Sequence, residues 1–122
     1  MSIGTDIVSV QRIANLLAEK NHQFKQKVFT PVEIEYCDRK PVPAIHYAGR
    51  FAAKEAIKKA LLSSNRKTNV AFNKLEITNA ENGAPVVQIL SEKVGNIDLR
   101  LSISHTEEFA VAFAIALEPC TC

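Results

Sequence analysis

Two separated carboxylates, one histidine and a row of cations carry the chemistry open to this sequence. Asp6 stands among Ile3, Ile7 and Val8, where an ionised carboxylate is costly to bury alone. It therefore asks for a cation or water, or serves only to end a strand or cap the next helix. Glu55 has Phe51 one helical turn before it and Lys59 one turn after. Arg50, Lys54 and Lys58 recur on the adjacent row, a ladder roughly 12 Å long at ~1.5 Å per residue. One reading makes Glu55 a metal ligand beside cations that grip a nucleotide-like ligand, since Mg²⁺ takes one or two carboxylates and completes its shell with phosphate oxygens and water. The plainer reading is a solvated helix face, on which Glu55 and Lys59 form an intrahelical pair worth about 0.2–0.5 kcal/mol. His105, in Ser102-Ile103-Ser104-His105-Thr106, ends a strand, where it faces a ligand or is simply structural. Asn82-Gly83-Ala84-Pro85 is turn chemistry, functional only if a ligand lies against it.

These residues must be positioned by the elements around them. Residues 3–8 read as a strand, and Ser9 caps a helix whose apolar positions are Val10, Ile13, Leu16 and Leu17. Asp6 thus precedes a strand-to-helix turn. A short helix is expected over 23–28, and Thr30-Pro31 followed by Glu33 has the cap, first-turn proline and third-position carboxylate of another helix start. Residues 44–62 form the strongest helix, with Ile45, Ala48, Ala52, Ala56 and Ala60 as a narrow stripe for close packing on a sheet. The period then changes. Residues 75–79 and 86–89 flank Asn82-Gly83 as one hairpin, whose turn can exceed two residues. Leu99, Leu101 and Ile103 alternate with polar residues, and Phe109, Val111, Phe113, Ile115 and Leu117 alternate with four alanines, giving a second hairpin around 106–108. The expected class is α+β, a long central helix and other N-terminal helices packed on an antiparallel sheet.

At 122 residues and 47% hydrophobic content the chain fits one domain, 1–122. No stretch approaches the ~18 uninterrupted apolar residues of a spanning helix. The N-terminus has no basic stretch followed by an apolar run. A cytoplasmic protein without membrane contact is expected. Cys37, Cys120 and Cys122 have no zinc-like spacing and read as reduced thiols. A net charge of +2 is too small to argue for DNA binding by itself and no nucleic-acid partner is expected, although the clustering of basic residues suggests phosphate or an acidic protein.

Four segments together resemble the holo-acyl-carrier-protein synthases, the small 4′-phosphopantetheinyl transferases. They are Ile3-Gly4-Thr5-Asp6-Ile7-Val8 with Arg12 beyond it, Gly49-Arg50-Phe51-Ala52-Ala53-Lys54-Glu55-Ala56, Asn82-Gly83-Ala84-Pro85, and Ser102-Ile103-Ser104-His105-Thr106. The resemblance spans nearly the whole chain in the family's order, and its Phe-Ala-Ala-Lys-Glu-Ala segment is the most specific part. It implies that Asp6 and Glu55 hold Mg²⁺, with Mn²⁺ as an alternative, and that Lys59 joins them in catalysis. It implies that Arg50, Lys54, Gly83, Pro85, His105 and Thr106 lie near coenzyme A. Arg12 and Lys27, with Lys20 and Lys25 as further members, then belong to a face that docks acyl carrier protein.

The implied reaction moves phosphopantetheine from coenzyme A to a carrier serine and releases adenosine 3′,5′-bisphosphate, in support of fatty acid biosynthesis. It leaves open whether Glu55, Lys59 or a water takes the serine proton. The resemblance also implies a homotrimer with coenzyme between subunits, to which an alanine-rich strand face is suited. Two rivals stand beside this reading. A metal-dependent nuclease wants a lysine two residues beyond a strand carboxylate, a place taken by Ile57 on a helix. A non-catalytic basic module is allowed by charge alone.

Overall fold

The computed structural model describes residues 1–19, 23–64 and 68–119. Lys20, Cys120 and Cys122 lie outside these. The chain opens with β1 (Ser2–Ser9) and α1 (Val10–Leu17), and Ser9 caps α1 by accepting a hydrogen bond from the Arg12 amide. Then follow α2 (Gln23–Val28), α3 (Pro31–Asp38) and the long α4 (Pro43–Ser63). The Thr30 start of α3 is a complete capping box: Thr30 Oγ1 accepts from the Glu33 amide, and Glu33 Oε1 accepts from the Thr30 amide at 2.9 Å. The second half holds β2 (Leu75–Asn79), β3 (Pro85–Ile89), β4 (Asp98–His105) and β5 (Phe109–Leu117). Among the described residues no helix is long and apolar enough to cross a membrane.

Strands β1, β5 and β4 form one antiparallel sheet in that order, and β2 and β3 pair as a separate hairpin. Pairing of Asn79 with Pro85 leaves residues 80–84 as the turn. Gly83 there has φ +86° and Asn82 Oδ1 accepts from the Ala84 amide.

The core lies between α4 and the three-stranded sheet. Ala48, Ala52, Ala56 and Ala60 of α4 are fully buried, as are Ala110, Ala112, Ala114 and Ala116 of β5. Small residues on both sides bring the backbones together: a Cβ on Gly4 would overlap Ala56 O and stand 2.8 Å from Ala60 N. This corrects one expectation. The alanine face of β5 is consumed inside the chain, and the bulky face of Phe109, Val111 and Phe113 points away from α4, about two-fifths exposed.

A buried ion pair ties the helical layer to the hairpin. Lys54 Nζ donates to Glu33 Oε1 at 2.6 Å, Val28 O at 2.7 Å and Phe72 O at 3.0 Å, with both side chains fully buried. Glu33 Oε2 accepts from the Ile77 amide at 2.9 Å. Burial draws Lys54 below the usual lysine range, while Glu33 pulls it back up. The expected coenzyme contact of Lys54 is therefore set aside, because its three ammonium protons are all engaged inside the protein.

Candidate active site

Asp6 sits on the β1 face that also carries Gly4 and Val8, the face turned to α4. Lys59 of α4 reaches it there: Nζ lies 3.0 Å from Asp6 Oδ1 and 3.0 Å from Thr5 O. The Asp6 side chain is 18% exposed and that of Lys59 54%, so this is a half-wet pair. The intrahelical Glu55–Lys59 pair does not form. Glu55, one turn before Lys59, is half-buried and makes no ion pair among the described residues. Asp6 and Lys59 thus meet where β1 crosses α4, and Glu55 stands one helical turn before Lys59.

The three cations of the expected ladder have three different surroundings. Lys54 is the buried structural lysine, and Lys58 lies 4.0 Å from the Phe72 ring centroid. Arg50, only 6% exposed, stacks its guanidinium 4.1 Å from the Tyr36 ring and donates from Nη2 to Asn79 Oδ1 at 2.8 Å. Among the described residues its Nε is the buried side-chain polar atom left without a partner. Asn79 in turn donates to Gly83 O at 3.0 Å, so one amide links Arg50 to the hairpin turn.

Arg50, Gly83, Pro85 and His105 all line one cavity of about 200 Å³. His46, on the first turns of α4, shares it; its ring centroid is 6.4 Å from that of His105 and 6.0 Å from that of Tyr36. Burial holds His46 below the ordinary histidine range, helped by the positive charges of Lys40 and Arg50 and by His105. Thr106 does not line this cavity. Its hydroxyl instead accepts from the Glu108 and Phe109 amides at 3.2 and 3.0 Å and fixes the β4–β5 turn. A larger groove of about 690 Å³ runs between β3 and β4 over 85–89 and 95–101. It contains none of the site's acids or Lys59, and it meets the smaller cavity at Pro85.

Arg12 and Lys27 are exposed and make no ion pair among the described residues. Lys25 is engaged by Asp38 at 3.1 Å. Cys37 is fully buried and burial pushes its thiol up to about 11, which keeps it protonated and unreactive. Sequence reasoning missed Tyr36, His46 and Asn79, and it saw Glu33 only as a helix-cap carboxylate, not as the partner of Lys54. His46 carried a usable signal, since it stands one turn before Arg50 on the same row. Tyr36 and Asn79 meet Arg50 only through the tertiary fold.

A family model described as the 4′-phosphopantetheinyl transferase superfamily matches residues 2–114. The chain is 39% identical over 118 residues to a holo-[acyl-carrier-protein] synthase of Protochlamydia amoebophila, covering 94% of this chain and 96% of that protein. A holo-[acyl-carrier-protein] synthase of Chlorobaculum parvum is 42% identical over 115 residues, with 94% and 97% covered. Among solved structures, the ACPS–CoA complex of Chronobacterium ammoniagenes superposes with a TM-score of 0.85 at 28% identity, covering 98% of both chains. The Helicobacter pylori holo-[acyl-carrier-protein] synthase in complex with coenzyme A gives 0.80 at 34% identity, covering 93% of this chain and 98% of that one.

Proposed function

The chain belongs to the 4′-phosphopantetheinyl transferase superfamily, and on that footing we propose that it is a holo-[acyl-carrier-protein] synthase acting as one domain over residues 1–122. It moves 4′-phosphopantetheine from coenzyme A to a serine of apo acyl carrier protein and releases adenosine 3′,5′-bisphosphate, a cytoplasmic step that serves fatty acid biosynthesis. One observation carries the reading: α4 supplies both Lys59, which pairs with Asp6, and Arg50, which lines a cavity with His105, and Glu55 lies between them on the same helix. Glu55 and Arg50 are five residues apart, roughly 7.5 Å along a helix.

The residues fit a magnesium ion. Asp6 and Glu55 offer hard oxygen donors, and among the described residues no group of three or more His, Cys, Asp or Glu side chains could hold a metal alone. Such a donor set leaves positions for substrate phosphate and water, as Mg²⁺ prefers. When bound, the ion neutralises charge on the coenzyme pyrophosphate. Lys59 spends two ammonium protons on β1 and keeps a third for a phosphate oxygen. Arg50, fixed by Tyr36 and Asn79, anchors another part of the coenzyme. The serine oxygen bonds the pantetheine-side phosphorus and the phosphorus–oxygen bond to the nucleotide moiety breaks. The serine proton passes to Glu55 or to a water at the site, while Lys59, already an ammonium in its bonds to β1, offsets phosphate charge.

Exposed Arg12 and Lys27 supply a basic face for the acidic carrier. The outward apolar sheet face, Ile3, Ile7, Phe109, Val111 and Phe113, supports a homotrimer in which this face is covered. The test is direct. Incubate the protein with apo carrier, coenzyme A and Mg²⁺ and weigh the carrier by mass spectrometry. The expected result is a gain of one phosphopantetheine that EDTA abolishes and Mg²⁺ or Mn²⁺ restores. An unmodified carrier overturns the reading.

A further inference from the structure

The cavity beside Arg50 holds two imidazoles, and the reaction as derived gives His46 no part. His46 enters from α4 and His105 from the end of β4, with ring centroids 6.4 Å apart. Arg50 lies against the same space, held by Tyr36 on one side and Asn79 on the other, with Nε buried and unsatisfied. A buried guanidinium N–H without an acceptor is costly, and the protein has fixed the group so that it cannot turn away. Its Nη atoms and the adjoining imidazoles are what the cavity offers to an anion. His46 is partly buried, with the positive charges of Lys40 and Arg50 and the second imidazole of His105 around it, and the Tyr36 ring 6.0 Å away. Burial first, and then these positive charges, disfavour a proton on His46 when the cavity is empty of anion, and a phosphate beside it favours one.

Building on the transferase reading, we propose that His46 is a phosphate-binding imidazole: it closes the cavity opposite His105 and, in protonated form, contacts a phosphate of the coenzyme alongside Arg50. The consequence is specific. Binding takes up a proton at His46, so coenzyme affinity strengthens as the pH falls below neutrality, and the effect lies on binding and not on turnover. Free His46 starts below its ordinary range, which widens the interval in which proton uptake occurs. Had His46 only packed against Tyr36, its removal would shift affinity equally at all pH values.

The experiment compares the full-length protein with His46→Phe and His46→Gln, after each has shown a cooperative melt. Coenzyme A and dephospho-coenzyme A are titrated calorimetrically from about pH 5.5 to 8, the interval in which histidine changes charge, and KM and kcat are followed on apo carrier. The expected loss of coenzyme affinity in the variants is about tenfold near pH 6, the scale of one charge-assisted hydrogen bond, shrinking towards pH 8 and falling on KM. If the pH-dependent difference disappears with dephospho-coenzyme A, the contacted group is the ribose phosphate; if it persists, it is the pyrophosphate. Either pattern upholds the contact. A difference that is constant across pH, or one that falls on kcat, overturns it. Should Phe at this half-buried position not fold, Gln carries the comparison. Failure of the transferase reading itself would show separately, as coenzyme binding without any modified carrier.

Discussion

Lys54 and Glu33 lie 2.6 Å apart with both side chains fully buried, and between them they engage backbone groups of Val28, Thr30, Phe72 and Ile77. The pair joins α3 and α4 to the segments around the β2–β3 hairpin. Removing one partner leaves an uncompensated buried charge, which costs about 3–5 kcal/mol. Lys54→Met should therefore lower the urea midpoint and Tm sharply. Activity should fall only as the folded fraction falls, because Lys54 has no proton left for a ligand. A stable Lys54→Met protein with weakened coenzyme binding would return Lys54 to the coenzyme site.

Gly4 is where β1 lies on the backbone of α4. The atoms that a Cβ would strike, Ala56 O and Ala60 N, are main-chain atoms of a buried helix and cannot swing aside. Gly4→Ala should cost about 1–3 kcal/mol or more through overpacking. It should also push β1 outward and separate Asp6 from Lys59. Thermal melts measure the first effect, and transfer assays corrected for folded protein measure the second.

Glu55 offers the cleanest separation of chemistry from stability. It is half-buried, makes no ion pair among the described residues, and sits mid-helix, where alanine is the best helix former. Glu55→Ala should keep the wild-type melting curve within about 0.5 kcal/mol and lose transfer by on the order of 10²-fold or more. Unchanged turnover would remove Glu55 from the mechanism.

Much of this arrangement was legible in the sequence, and the parts that were not share a physical cause. Ser9 and the Thr30 box are local signals, written within four residues, and the structure has both. The four-residue spacing of Arg50, Lys54 and Lys58 is also local, but it reports only that they share a helix row. It says nothing of the Glu33 that Lys54 meets, 21 residues earlier, or of the Asp6 that Lys59 meets, 53 residues earlier. Strand alternation has the same limit. It divides β5 into a large and a small face without saying which one the helix covers. Gly4 decides that, since only the alanine face allows so close an approach.

The outward face makes its own prediction. Phe113 is 42% exposed at the centre of the sheet, flanked by Val111 and paired with Thr5 of β1. Phe113→Asp places a charge in the middle of the apolar face without touching α4, so the fold should persist while self-association is lost. Sedimentation or size exclusion with light scattering should show a trimer for the parent and a smaller species for the variant. An unchanged mass would mean that this face is not the subunit contact.

His46 should also leave a mark on folding stability. Its ordinary value, 6.5, applies in the unfolded chain, whereas burial and then the charges of Lys40, Arg50 and His105 hold it lower in the fold. As pH drops through 6.5 the unfolded chain takes up the proton first, and stability falls with it. The loss continues until folded His46 is protonated too, and above 6.5 there is none, since both states are neutral there. The difference in urea midpoint between the parent and His46→Phe should therefore change between neutral and mildly acidic pH, with the parent losing more. Added coenzyme should reverse the sign of that trend, because an anion in the cavity lets folded His46 keep its proton. A midpoint difference independent of both pH and coenzyme would mean that His46 stays neutral throughout.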